Sequence, residues 1–173
     1  MKFPIKSLVI LACVAAPLQA QGTDVGVPAV RSLWQQLSGY VLASAEDMPE
    51  AKYAFKPTPE VRSFGELIGH VAGSQNMFCA AALGEKEPAE DAVEKAATSK
   101  AALIAAMKAS IAYCTKAYAQ TDNASRAAIT LFGQKRNRMY ALAMNATHDG
   151  EHYGNLITYL RMNGLVPPSS KGM

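Results

Sequence analysis

Three histidines carry the chemistry that this sequence offers, and their spacing suggests a metal site. His148 and His152 lie four residues apart in a segment, 139–163, whose pattern predicts one long helix. Both imidazoles would then project from one face of that helix, one turn apart. His70 lies in a second predicted helix, 63–83, which a bundle could bring opposite the pair. Three neutral imidazoles without a fourth protein ligand would leave a coordination position for water or substrate, as catalytic metal sites do.

The alternative for each histidine is an ordinary structural role. A single histidine on an apolar helix face is more often a core or surface residue with a hydrogen-bond partner than a metal ligand. The pair could be a coincidence, because the residues between its members, Asp149, Gly150 and Glu151, do not form the HExxH pattern. Gly150 costs a helix about 1 kcal/mol relative to alanine. Its presence suggests that another backbone or a ligand comes close there.

Other polar residues share the face of the histidine pair. Asn145, Asn155 and Tyr159 fall on this otherwise inward stripe, where an unpartnered polar group would be costly. They are therefore candidates for contacts to the metal ligands or to a substrate, and ordinary hydrogen bonds between helices explain them equally well. Glu66, one turn before His70, is explained more simply as the capping-box partner of Ser63.

The first twenty residues have the pattern of a signal peptide. Two lysines precede an apolar run, 7–18, and a small residue, Ala20, stands at a plausible cleavage position. The run is too short to span a bilayer, which favours a cleaved secretory signal over an anchor; a lipoprotein signal through Cys13 is the less favoured alternative. Removal of the two lysines lowers the formal charge from +3 to +1, so the composition indicates no nucleic-acid partner.

The remaining chain, 21–173, has the length of one domain and the pattern of an all-α fold. Apolar residues recur at helical spacing, and alternating β-branched runs are nearly absent. Four helices are predicted: one carrying an apolar stripe before Pro49, 63–83 with Gly84 as its stop, 99–120, and 139–163, with an uncertain stretch around 131–133. The stripe of the first helix is formed by Val30, Leu33, Trp34, Leu37, Tyr40 and Val41. Four helices of this length make a bundle.

Two stretches closely resemble one known family. Residues 63–70 (SFGELIGH) and 147–170 (THDGEHYGNLITYLRMNGLVPPSS) are similar to the DinB family of metalloenzymes, and the resemblance covers nearly the whole mature chain. It implies a four-helix bundle with an up-down-down-up connection. It also implies a divalent metal, zinc or nickel, on His70, His148 and His152, and a homodimer.

The resemblance leaves the reaction open. Some members of the family are thiol-dependent transferases or isomerases that use cytosolic thiols, a supply that an exported protein would lack. We therefore expect a secreted or periplasmic metal-dependent enzyme of the hydrolase type that acts on a small molecule. A thiol-dependent transferase or isomerase and a non-catalytic, metal-stabilised binding protein are the alternatives.

Two cysteines, Cys79 and Cys114, remain after signal cleavage. In the family's connection the second and third helices run parallel, so both cysteines would lie near the same end of the bundle. A disulfide would fit an oxidising compartment, and two buried free thiols are the alternative.

Overall fold

The computed structural model describes residues 24–172, so the predicted signal peptide at 1–20 lies outside the described residues. The helices are α1 Gly26–Asp47, α2 Phe64–Leu83, α3 Ala92–Ala96, α4 Lys100–Ala117, α5 Asp122–Ser125 and α6 Arg138–Met162. A hairpin of two strands, β1 Ala128–Leu131 and β2 Gln134–Asn137, precedes α6, and two short 3₁₀ turns lie at Glu50–Lys52 and Pro168–Ser170. Both α1 and α2 pack against α4 and α6. The predicted all-α class is confirmed, and within the described range no helix is both long and apolar enough to cross a membrane.

The ends of α2 follow the predicted capping signals. Ser63 accepts a hydrogen bond from the backbone of Glu66, whose carboxylate accepts one from the backbone of Ser63 in return. Gly84 ends the helix with a φ of +77°, a left-handed conformation that favours glycine. The next long helix, α4, is capped by Ser99, where the predicted helix begins, and it ends at Ala117 rather than at residue 120.

The residues around α2 bury it on almost every side. The segment between α2 and α4, which contains α3, lies across the helix at two glycines one turn apart. A Cβ at Gly73 would overlap the carbonyl oxygen of Glu90, and a Cβ at Gly69 would lie 2.8 Å from the Cα of Glu94. The crossover backbone can lie this close to α2 because both positions lack a side chain.

The stretch that was uncertain in the sequence is a β-hairpin. Its two-residue turn consists of Phe132 and Gly133, with φ values of 52° and 71°. Two positive φ values are typical of the type I′ turn, which matches the twist of paired strands. The sequence did not predict it because the strands are four residues long, mostly polar, and joined by Phe-Gly rather than Asn-Gly.

The apolar stripe of α1 is only partly buried. Trp34 is buried and stacks on Tyr118 at a centroid distance of 4.4 Å, but Leu33, predicted to face the core, is 56% exposed. Leu37 lies against α6, and a Cβ at Gly150 would be 3.3 Å from its Cδ1. The close neighbour expected at Gly150 is therefore this α1 side chain, not a backbone or a ligand.

A disulfide joins Cys79 of α2 to Cys114 of α4, with a Cα–Cα distance of 5.3 Å. Gly65 lies against Leu103 near the start of both helices, and the cysteines lie further along both, so the helices run parallel here. Of the two alternatives left open by the sequence, the structure has the bridge.

We expect removal of this disulfide to destabilise the bundle strongly. The bond closes a loop with a sequence separation of 35 residues, and the chain-entropy estimate for such a loop is about 3–4 kcal/mol. The double variant Cys79→Ser, Cys114→Ser should lose about that much free energy of unfolding in a urea titration. Two titratable thiols in the denatured, unreduced mature protein would contradict the bridge.

Candidate metal centre

The structure brings the three histidines together. The Nε2 atom of His148 lies 3.2 Å from Nε2 of His70 and 3.0 Å from Nε2 of His152. One potential ligand atom from each residue lies within 4.8 Å of the other two. Because α2 and α6 run antiparallel here, with Phe78 against His148 and His70 against His152, the single histidine of α2 faces the α6 pair.

These distances fit a divalent cation. Nitrogens that lie about 2.0–2.1 Å from one ion are roughly 2.9–3.4 Å apart at octahedral to tetrahedral angles. Hydrogen bonds alone satisfy the group poorly, since a neutral imidazole has one N–H and the Nε2 atom of His148 faces two other Nε2 atoms. The chemistry of the donor set therefore favours a bound metal.

The environment keeps the imidazoles neutral. Burial, together with the neighbouring His152 and His70, lowers the pKa of His148 to about 3. Burial and the neighbouring His70 lower the pKa of His152 to about 4. The pKa of His70 is also lowered, by burial first and then by the positive charge of Arg62. Near neutral pH the lone pairs are thus available to a metal without loss of a proton.

The outward nitrogen of His70 faces a carboxylate that the sequence analysis missed. The Oε2 atom of Glu94, in α3, lies 3.8 Å from Nδ1 of His70, a nitrogen with no hydrogen-bond partner among the described residues. Both oxygens of Glu94 accept hydrogen bonds from Nε of Arg62, at 3.1 and 3.2 Å. A carboxylate on the outer nitrogen of a ligating histidine is common in metal sites, where it orients the ring.

A second carboxylate of the crossover lies at the inner side of the cluster. The Oε1 atom of Glu90 is 3.9 Å from Nε2 of both His70 and His148. It accepts a hydrogen bond of 2.9 Å from the hydroxyl of Ser74. In the sequence this segment lies between two predicted helices, 63–83 and 99–120. One feature of the sequence could have indicated this contact. Gly69 and Gly73 of α2 are four residues apart, as are Glu90 and Glu94.

An open cavity of about 640 Å³ meets the cluster at His152. Its lining is mostly polar and charged and comes largely from the loop 56–62. The full lining is Lys56, Pro57, Thr58, Pro59, Glu60, Val61, Arg62, Glu66, Leu67, Glu94, His152, Asn155 and Tyr159. A small polar molecule could therefore reach the edge of the histidine cluster from solvent.

Two of the three polar candidates on α6 line this cavity. Asn155 places its amide nitrogen 3.4 Å from Nδ1 of His152. The hydroxyl of Tyr159 donates a hydrogen bond of 2.7 Å to the backbone carbonyl of Arg62, which ties down the loop at the cavity. Asn145 lies elsewhere in the core: it donates to the hydroxyl of Tyr118 at 3.2 Å.

A buried carboxyl group lies behind the histidines. The Oδ2 atom of Asp149 accepts a hydrogen bond of 2.9 Å from the amide of Gln75, and the hydroxyl of Ser110 donates to the oxygen of that amide at 3.2 Å. Burial raises the pKa of Asp149 well above its ordinary value. These residues connect α6 to α2 and α4 directly beside the histidine cluster.

Comparisons with family models and with solved structures point to the same family. The family model of the DinB superfamily matches residues 33–156. Among solved structures, a DinB-like protein from Bacillus cereus superposes with a TM-score of 0.69 at 16% identity, over 82% of this chain and 95% of that one. A DinB-like protein from Bacillus subtilis gives 0.60 at 20% identity, over 84% and 99%. The mycothiol-dependent maleylpyruvate isomerase gives 0.60 at 18% identity, over 78% and 66%. No curated protein sequence matches the chain significantly.

Replacement of His148 with alanine should abolish tight binding of a divalent metal. This imidazole is within 3.2 Å of both others, so its loss leaves two ligands that no longer share a neighbour. We expect the affinity in isothermal titration calorimetry to fall at least about 100-fold. Thr147→Ala, which changes the adjacent exposed residue, is the control. An unchanged stoichiometry and affinity in His148→Ala would contradict the three-histidine centre.

Metal affinity should be nearly independent of pH until the solution is clearly acidic. The pKa values of about 3 for His148 and about 4 for His152 mean that protons compete with the metal only at low pH. We expect a flat affinity from about pH 8 to pH 5 and a fall below it. A decline centred on about pH 6.5, the value of a free imidazole, would show that the histidines are not buried as described.

Proposed function

The chain belongs to the DinB superfamily, and we propose that it is a metal-dependent enzyme of the hydrolase type that works outside the cytoplasm. One divalent ion, zinc or nickel, is held by His70, His148 and His152. The observation that carries the proposal is the convergence of three neutral imidazoles at the edge of an open, polar cavity.

The residues around the triad have separate tasks in this proposal. A divalent ion bound there would act as a Lewis acid and lower the pKa of a water molecule toward about 7. Asn155 offers an amide to a substrate in the cavity and contacts His152. Tyr159 holds the loop 56–62 through its hydrogen bond to Arg62 and so fixes the opposite wall.

The charges in the cavity favour a small polar substrate. Lys56 and Glu66 are 3.1 Å apart, and Arg62 pairs with Glu94 at the same distance, so charges of both signs line the entrance. An apolar ligand would have to displace water from these groups without replacing their hydrogen bonds. A substrate with its own donors and acceptors would not incur that cost.

The disulfide supports the proposed location. Structural disulfides persist in oxidising compartments and are rare in the cytoplasm. The bond between Cys79 and Cys114 therefore agrees with the signal peptide predicted at 1–20. Export in turn favours hydrolysis, which needs water alone, over a reaction that depends on a cytosolic thiol.

One comparison favours a second candidate, a thiol-dependent transferase or isomerase. The mycothiol-dependent maleylpyruvate isomerase has a similar fold, with TM-scores of 0.60 and 0.63 for its two structures. At identities of 18% and 17%, this likeness shows a similar fold and nothing about the reaction. In this alternative the ion would bind a thiolate instead of water.

The experiment is a panel of ester, amide and electrophilic substrates, each assayed with and without small thiols on the metal-loaded protein. We expect thiol-independent hydrolysis that rises with pH through about 7, is lost in His70→Ala, and is retained in the control Thr147→Ala. Turnover that requires a thiol and is lost in His70→Ala would instead support the transferase or isomerase. No turnover under any condition would favour a metal-stabilised binding protein.

A further inference from the structure

The crossover between α2 and α4 carries two carboxylates to the histidine cluster, and they face different nitrogens. Glu94 faces Nδ1 of His70, the nitrogen that points away from the other histidines. Glu90 faces the Nε2 atoms of His70 and His148, the nitrogens that converge. Only Glu90 is therefore on the side where a metal would sit.

The two glutamates also differ in what already occupies their oxygens. Both oxygens of Glu94 are engaged by Arg62. The structure gives Glu90 one hydrogen bond, from Ser74 to Oε1, and this bond orients the carboxylate toward the cluster. Ser74 is fully buried on α2, one turn after His70, so the donor that orients Glu90 is itself fixed by the helix that carries a ligand.

The backbone of α2 is shaped to accept this arrangement. Gly73 leaves the space that the carbonyl group of Glu90 fills, and Gly69 does the same for the backbone at Glu94. Any side chain at position 73 would force the backbone at Glu90 to move. The short distance between the Glu90 carboxylate and the cluster thus depends on two glycines, one on either side of His70.

We propose that Glu90 is a fourth protein ligand of the metal, supplied from the crossover side while the cavity meets the cluster at His152. The proposal rests on the three-histidine centre proposed above. The Oε1 atom lies 3.9 Å from two converging nitrogens. Two ligand atoms of one metal ion are usually about 3.4 Å apart or less, so a side-chain rotation that moves this oxygen by well under 1 Å is enough for ligation.

A carboxylate ligand changes what the centre can do. Three neutral imidazoles leave both charges of a divalent ion uncompensated, whereas one carboxylate neutralises half of them. A tetrahedral ion would be closed by Glu90, and substrate would enter as an additional ligand from the cavity or would displace the carboxylate. Metals that accept more than four ligands are then the ones that suit catalysis here.

The test uses Co²⁺, because its visible spectrum reports the number and type of its ligands. We expect the wild-type protein to bind one Co²⁺, and Glu90→Ala to bind it at least about tenfold more weakly with a changed spectrum. Added acetate should restore the wild-type spectrum of Glu90→Ala, since the side chain of Glu90 is 40% exposed and a small carboxylate can enter its place. Glu87→Ala, at an exposed residue of the same segment, is the matched control.

A second variant moves Glu90 without changing it. Gly73→Ala should weaken Co²⁺ binding as Glu90→Ala does, because its Cβ would displace the backbone at Glu90. The control is Gly39→Ala in α1, where a Cβ would have no described atom within 4 Å. Circular dichroism verifies that each variant is folded; should Gly73→Ala fail to fold, Glu90→Gln, which keeps the size of the side chain, takes its place.

The outcomes separate this proposal from the one it rests on. If the wild type binds Co²⁺, His148→Ala does not, and Glu90→Ala keeps the wild-type affinity and spectrum, the fourth ligand is wrong and the three-histidine centre stands. A weaker affinity of Glu90→Ala with an unchanged spectrum and no effect of acetate also rejects ligation. If the wild type does not bind Co²⁺, both proposals are wrong.

Discussion

The rest of this structure depends on one constraint: Nε2 of His148 faces the Nε2 atoms of His70 and His152, at 3.2 and 3.0 Å. Without a cation between them, their lone pairs and single N–H groups cannot all be satisfied. Burial removes the option of protonation, because it lowers the pKa of His148 to about 3. The free energy of holding the three rings together must therefore come from the packing of the helices around them.

The bundle supplies that packing from several directions. The disulfide fixes α4 to α2, and the hydrogen bonds from Gln75 to Asp149 and from Ser110 to Gln75 connect the three helices α2, α4 and α6. A buried polar group is costly unless it has a hydrogen-bond partner, and these bonds form in one arrangement of the helices. They therefore favour a single register of α6 against α2. That register is what places His148 and His152 opposite His70.

The sequence was sufficient to predict the four long helices and to single out the three histidines, because both rest on local patterns. The spacing of four between His148 and His152, and the capping box at Ser63, are properties of single helices. The position of Glu90 at the cluster was not predicted, since it depends on glycines of another element and on Ser74, sixteen residues earlier. Asn145 illustrates the same limit: it shares the helical face of the histidines, yet its partner is Tyr118, the residue that follows α4.

The proposed metal-dependent function rests on the three-histidine cluster next to a polar cavity. The most direct measurement is anomalous X-ray scattering from crystals of the metal-loaded protein. We expect one peak about 2.0–2.2 Å from the Nε2 atoms of His70, His148 and His152. A peak at surface carboxylates with none between the three imidazoles would contradict the metal centre.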